Sequence, residues 1–68
     1  MTIIKNKIKD IRVNLELTQE SLAEKVGVTR QTIISIEKGV YAPSITLAIL
    51  ICKVFNKKVE DVFQISKK

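Results

Sequence analysis

The sequence predicts an all-α fold, a compact five-helix bundle whose second and third helices form a helix-turn-helix. Three observations predict it. Apolar residues recur at three- and four-residue spacing through most of the 68 residues, which is the period of an amphipathic helix. Asn6, Thr18, Thr29 and Ser44 each precede such a run, where an N-cap belongs. The two glycines, Gly27 and Gly39, and the single proline, Pro43, fall between the runs rather than inside them.

Taken in order, Thr2-Ile3-Ile4 is short and β-branched and reads as a terminal strand. From Lys5 to Leu15, a first helix takes Ile8, Ile11 and Leu15 as its inner face, with Lys7, Lys9 and Asp10 outside and Asn6 as its cap. Glu16-Leu17 leads to Thr18, the cap of a second helix. There Ser21 lies on the polar side, and Leu22, Ala23 and Val26 form one stripe. Gly27 supplies the backbone freedom that ends this helix. After Val28, Thr29 caps a third helix that buries Ile33 and Ile36 and stops at Gly39. Lys38 to Pro43 is a loop, because a proline biases the residue before it away from helix. Ser44 caps a fourth helix from Ile45 to Phe55, and Asn56-Lys57-Lys58 is a turn. Val59 to Phe63 is a short fifth helix with Val59, Val62 and Phe63 on one face. Gln64-Ile65-Ser66 is extended or frayed, and Lys67-Lys68 is a solvated tail. The two terminal β-like segments are able to pair as a short antiparallel sheet.

The fourth helix is more apolar than one buried stripe requires. Leu47, Ala48, Ile51, Val54 and Phe55 suffice for that stripe, which leaves Ile45, Ile49 and Leu50 on other faces. Each such side chain forgoes roughly 1.5–3 kcal/mol if left in water, so the surplus points to a second burial surface, most simply a two-fold partner. A 68-residue chain sits near the lower limit for folding alone and often needs a staple. Cys52 is the only cysteine and there is no histidine, so an intrachain disulfide and a Cys/His metal site are both excluded. Self-association is the remaining staple. Cys52, inside an apolar run, reads as a small buried hydrophobe. The same inventory argues against an enzyme, since it offers no nucleophile-base pair or metal cluster, and it suggests no cofactor.

Twelve Lys and Arg against seven Asp and Glu leave a net charge of +5 and a pI near 9.6. That excess fits a polyanion, either nucleic acid or an anionic membrane. The membrane alternative is poor, because the longest apolar run, Ile45 to Cys52, is interrupted by Thr46 and stopped by Lys53. Lys5, Lys7 and Lys9 follow Met1 to Ile4 at once, where a signal peptide would need an apolar stretch. The expectation is a cytoplasmic protein.

Counting from Gln19, a helix-turn-helix wants a small residue fifth, Gly ninth, and apolar residues fourth, eighth, tenth, fifteenth and eighteenth. The chain offers Ala23, Gly27, Leu22, Val26, Val28, Ile33 and Ile36. Seven joint constraints make this a specific signal. With the Pro43 loop and the VEDVF segment, the chain from Ile8 to Phe63 resembles the Cro/repressor-type, or xenobiotic-response-element-type, helix-turn-helix regulators. The resemblance implies a five-helix DNA-binding domain. RQTI, IEKG, Tyr41 to Ser44 and EDVFQ bring it nearest to a small dimeric repressor whose termini add a short sheet.

The resemblance also implies roles. Gln19 matches the family's phosphate-clamping glutamine, and Thr29 a second position that meets phosphate. Arg30, Gln31, Ile34 and Ser35 match the base-reading face, with Arg30 able to fork onto guanine and Gln31 onto adenine. Thr32 lies close to a phosphate or a thymine methyl. Ile34 has two readings, an incidental exposed apolar residue or a contact to a thymine methyl. Arg12 and Glu37 match a paired arginine and glutamate that fix the third helix against the first. The alternative there is an ordinary surface ion pair contributing under about 1 kcal/mol. Lys38, Tyr41 and Ser44 follow the third helix within reach of the sugar-phosphate backbone, whereas Lys5, Lys7 and Lys9 read as a solvated face. The leading expectation is a homodimeric repressor on an inverted-repeat operator of double-stranded DNA, without a small-molecule effector. A different class of function, an antitoxin-like module that binds a separate partner protein, would use the surplus face of Ile45, Ile49 and Leu50 instead.

Overall fold

A computed structural model describes the backbone of residues 2–67 and the side chains of residues 5–65. Five helices lie between two terminal strands in the order β1 (Thr2–Asn6), α1 (Ile8–Asn14), α2 (Gln19–Val26), α3 (Arg30–Glu37), α4 (Ile45–Phe55), α5 (Val59–Val62) and β2 (Phe63–Lys67). The strands pair antiparallel, Thr2 opposite Lys67 through Asn6 opposite Phe63. The terminal pairing expected from the β-branched ends is therefore present, and it is longer than those ends alone suggest.

That sheet moves two helix boundaries. Lys5 and Asn6, expected in α1, belong to β1, because pairing with Gln64 and Phe63 extends the strand past the β-branched residues. Asn6 is accordingly not the N-cap, a position that Lys7 takes without a side-chain bond. The Asn6 carboxamide still accepts from the Ile8 N–H at 3.2 Å and donates to the Ile36 carbonyl at 2.8 Å, which ties the strand to the end of α3. Phe63, expected in the fifth helix, is extended (φ −116°, ψ 136°) and begins β2. Lys67 is part of β2 rather than a free tail, and Lys68 lies outside the described residues.

Inside the chain, local chemistry sets the ends. Thr18 and Ser21 form a reciprocal capping box at α2, and the Ser44 hydroxyl accepts from the Leu47 N–H at 3.2 Å to start α4. Gly27 and Gly39 both adopt positive φ, 77° and 78°, which lets the chain turn at the ends of α2 and α3. Asn56 ends α4 in the same left-handed region. At the end of α1, Glu16 turns with φ 58°, so Leu15 leaves the helical spacing and stays 48% exposed. Leu17 packs on the core in its place.

Twelve residues form one core: Ile8 and Ile11 from α1; Leu22, Ala23 and Val26 from α2; Ile33 and Ile36 from α3; Leu47, Ile51, Cys52 and Phe55 from α4; and Val62 from α5. Ala23 is 2% exposed, so a larger side chain there has no room between α2 and its neighbours. Of the stripe expected on α4, Ala48 and Val54 are only half-buried, and Cys52 takes a core place. Val59, expected on the buried face of α5, is 43% exposed, because α5 is a single turn that aims only Val62 fully inward.

Candidate nucleic-acid interface

The core fixes one face of α3 and so frees the other. Ile33 and Ile36 are 0% and 1% exposed, which turns Arg30 and Gln31 into solvent and leaves Ile34 and Ser35 half-exposed beside them. These four residues lie within six positions of one helix, so a single two-turn row carries a guanidinium, a carboxamide, an aliphatic chain and a hydroxyl. The Gln31 Nε2 donates to the Ser35 Oγ at 3.5 Å, a long bond that leaves its carbonyl oxygen and second N–H free. Together those groups have the donor-acceptor pattern that fits an adenine edge in a major groove.

The start of α2 lies alongside. Gln19, Thr18, Glu20, Arg30, Arg12 and Leu17 line a cleft of about 530 Å³. Behind it sits a buried ionic cluster. Arg12 donates from Nε to the Glu37 Oε2 at 2.8 Å and from Nη2 to Oε1 at 3.4 Å, and its Nη1 donates to the Leu17 carbonyl at 2.8 Å. The two side chains are 10% and 5% exposed, so this is a desolvated pair and not a surface one. Gln19 Nε2 also donates to Glu37 Oε1, at 3.0 Å. The sequence contains no sign of that third bond: Gln19 and Glu37 are eighteen residues apart, and only the packing of α2 on α3 brings them together.

The other site residues are placed as follows. The Thr29 hydroxyl caps α3 by accepting from the Thr32 N–H at 3.3 Å and shares a hydrogen bond with the Thr32 hydroxyl at 3.0 Å. Ser44 is likewise occupied as a cap, whereas Lys38 and Tyr41 are exposed just beyond α3. Ile45, Ile49 and Leu50 are 77%, 43% and 40% exposed on α4. Beside Ala48 of the same helix runs a mostly apolar groove of about 550 Å³ lined by Pro43, Ala48, Val59, Phe63 and Ile65, with Glu60 and Gln64. Val59 and Ile65 were not expected on that face. Val59 belongs to the one-turn α5 and faces out of the core, and Ile65, read as extended or frayed, is extended in β2, so that both line the groove beside Ala48 of α4. Among the described residues no cluster of three or more His, Cys, Asp or Glu could hold a metal ion, and no helix is long and apolar enough to cross a membrane.

Comparison with known proteins bears on the family and the fold. The helix-turn-helix family model matches residues 8–62. The chain is 57% identical over 60 residues to the HTH-type transcriptional regulator YgzD of Bacillus subtilis, covering 88% of this chain and 91% of that protein. It is 58% identical over the same length to the HTH-type regulator MJ0272 of Methanocaldococcus jannaschii, again covering 88% and 91%. The transcriptional repressor RstR of cryptic phage CTXphi from Vibrio cholerae is 30% identical over 57 residues, 84% of this chain and 51% of RstR. Among solved structures, a protein from Bacteroides fragilis shares the fold with a TM-score of 0.82 at 21% identity, over 91% of this chain and all of that one.

Proposed function

The chain belongs to the helix-turn-helix family, and from that premise we propose that it is a transcriptional regulator that binds double-stranded DNA sequence-specifically. In this reading it is a homodimeric repressor, binding protein rather than enzyme, and α3 enters the major groove of an inverted-repeat operator. The observation that carries the reading is the row Arg30, Gln31, Ile34 and Ser35, held outward because Ile33 and Ile36 are buried. Arg30 and Gln31 read base edges, Ile34 and Ser35 complete the contact surface, and Gln19, Thr29, Thr32, Lys38, Tyr41 and Ser44 meet the sugar-phosphate backbone. The names of the Bacillus and archaeal relatives support transcriptional regulation, and that of RstR supports repression.

Two copies meet through Ile45, Ile49 and Leu50, joined by the groove that Val59 and Ile65 line. The exposure of these apolar side chains on so small a protein, with a mostly apolar groove beside Ala48 of the same helix, supports this pairing. The pair sets two α3 helices about 34 Å apart, one turn of duplex. Selection of bound sites from random duplex DNA, followed by titration of the winning site at several salt concentrations, tests the proposal. The expected result is an inverted repeat bound with a steep negative salt slope, since each phosphate contact releases counterions. Binding with no sequence preference at any salt would sink it. The same open face suits the antitoxin-like alternative, and sedimentation separates the two. A dimer supports self-association, whereas a stable monomer favours a different protein on that face.

A further inference from the structure

We infer that Glu37 is a positioning residue for the phosphate contact of Gln19, an inference that rests on the DNA-binding reading above. A carboxylate only accepts hydrogen bonds, so the Gln19 group facing Glu37 Oε1 at 3.0 Å must be the Nε2 amide. That bond uses one of the two N–H groups and fixes the amide plane. The planar amide then turns the second N–H of the same nitrogen away from the carboxylate, and Gln19 is one of the residues lining the cleft where α2 begins. The Thr18–Ser21 capping box engages the Ser21 N–H and not the backbone N–H groups of Gln19 and Glu20. A phosphate in the cleft meets all three donors.

An anion beside a phosphate contact would ordinarily be a liability. Here the Glu37 charge is matched by the Arg12 guanidinium at 2.8 and 3.4 Å, and Arg12 is itself anchored on the Leu17 carbonyl. Both side chains are almost wholly buried, so the pair cannot be screened apart by solvent. Glu37 therefore orients the Gln19 donor without presenting net negative charge, because the Arg12 guanidinium, which lines the same cleft, balances it. Without the carboxylate, Gln19 would have a free, half-exposed side chain whose rotamers must be ordered when DNA binds.

A methylphosphonate scan of the selected operator, replacing one phosphate at a time by an uncharged group, tests the inference. In the wild-type protein one position per half-site should cost about tenfold in affinity, about 1.4 kcal/mol. In Gln19→Ala that penalty should vanish, and in Glu37→Gln it should shrink to under about threefold, the scale of a neutral hydrogen bond lost. Thermal denaturation of each variant reports folding separately. If Glu37→Gln does not fold, the paired change Arg12→Met with Glu37→Leu replaces the buried ions by apolar volume and carries the same expectation. A full penalty in the Glu37 variants, with loss of it only in Gln19→Ala, makes Glu37 purely structural and overturns the inference. So does a scan that Gln19→Ala leaves unchanged. Wild-type protein that binds no duplex with sequence preference refutes the DNA-binding reading itself, a result reached before any scan is made.

Discussion

Arg12 and Glu37 are charged groups in a 68-residue molecule that has little core to spare, and they are held because each polar atom around them is matched. Among the described residues, no buried side-chain nitrogen or oxygen is without a partner. The energetics of such a pair are asymmetric. Removing one ion leaves the other desolvated and alone, which costs about 3–5 kcal/mol, while replacing both by apolar groups is often near neutral. Arg12→Met or Glu37→Leu alone should therefore unfold at much lower denaturant concentration than the wild type, and the double variant should recover most of the loss. Urea titration of the four proteins measures this, and strictly additive losses would mean that the pair is energetically uncoupled. Cys52 makes a second residue-scale case. Burial pushes its thiol above its ordinary 9.0, and the nearby Glu60 charge adds to the shift. The folded thiol keeps its proton to higher pH than the unfolded one, so its stabilising contribution is complete at neutral pH and fades as pH rises past 9.0. Alkylation of Cys52 at neutral pH should be slow in native protein and fast in urea, and equal rates would show that the side chain is not buried in solution.

At the scale of elements, turns are where single substitutions tell most. A Cβ at Gly27 would meet nothing within 4 Å, so Gly27→Ala isolates the backbone cost of φ 77° from any clash. That cost should be roughly 1–2 kcal/mol, read as a fall in denaturation midpoint with no change in the apolar surface buried. A neutral result would mean that the turn between α2 and α3 relaxes. What could be read from the sequence follows the same division between local and distant causes. Caps at Thr18, Thr29 and Ser44, the stops at Gly27 and Gly39, and the inward residues of α2 and α3 depend on neighbours within a few positions, and all were legible. The misplaced boundaries at Lys5, Asn6 and Phe63 depend on strand pairing between opposite ends of the chain, which no local spacing encodes. Leu15 fails for another reason, since the helical period it was fitted to ends at Asn14. In the interface, the outward row of α3 follows directly from the buried positions of Ile33 and Ile36. The bond between Gln19 and Glu37 does not, because it needs the crossing of α2 and α3 to exist first. On α3, the proposed reading makes Gln31→Ala a change of specificity more than of affinity. It should relax the preference at one base pair by about 1–3 kcal/mol, visible when matched and mismatched operators are titrated side by side. Equal weakening on both would remove Gln31 from base reading.

Across its described residues the molecule measures 33 × 22 × 20 Å and carries one α3, so in the proposed reading a single copy engages only one half of an inverted repeat. Its net charge of +5 favours any duplex, which makes charge a source of affinity but not of selectivity. In the proposed dimer, selectivity at the scale of the operator comes from the tether between two reading helices. Once one half-site is held, the second meets its target at an effective concentration near millimolar, and avidity can exceed the single-site affinity by 10²–10⁴. Ile45 and Ile65 allow this to be tested without disturbing the monomer, because they are 77% and 67% exposed and lie outside the core. Ile45→Glu combined with Ile65→Glu should leave the helical content and melting of the monomer nearly unchanged while shifting sedimentation from dimer to monomer. On a full operator the affinity should fall by at least about a hundredfold, and on a duplex carrying one half-site it should hardly change. Loss on both duplexes alike would mean that the substitutions reach the α3 surface. A variant that stays dimeric would place the interface on some other face of the molecule.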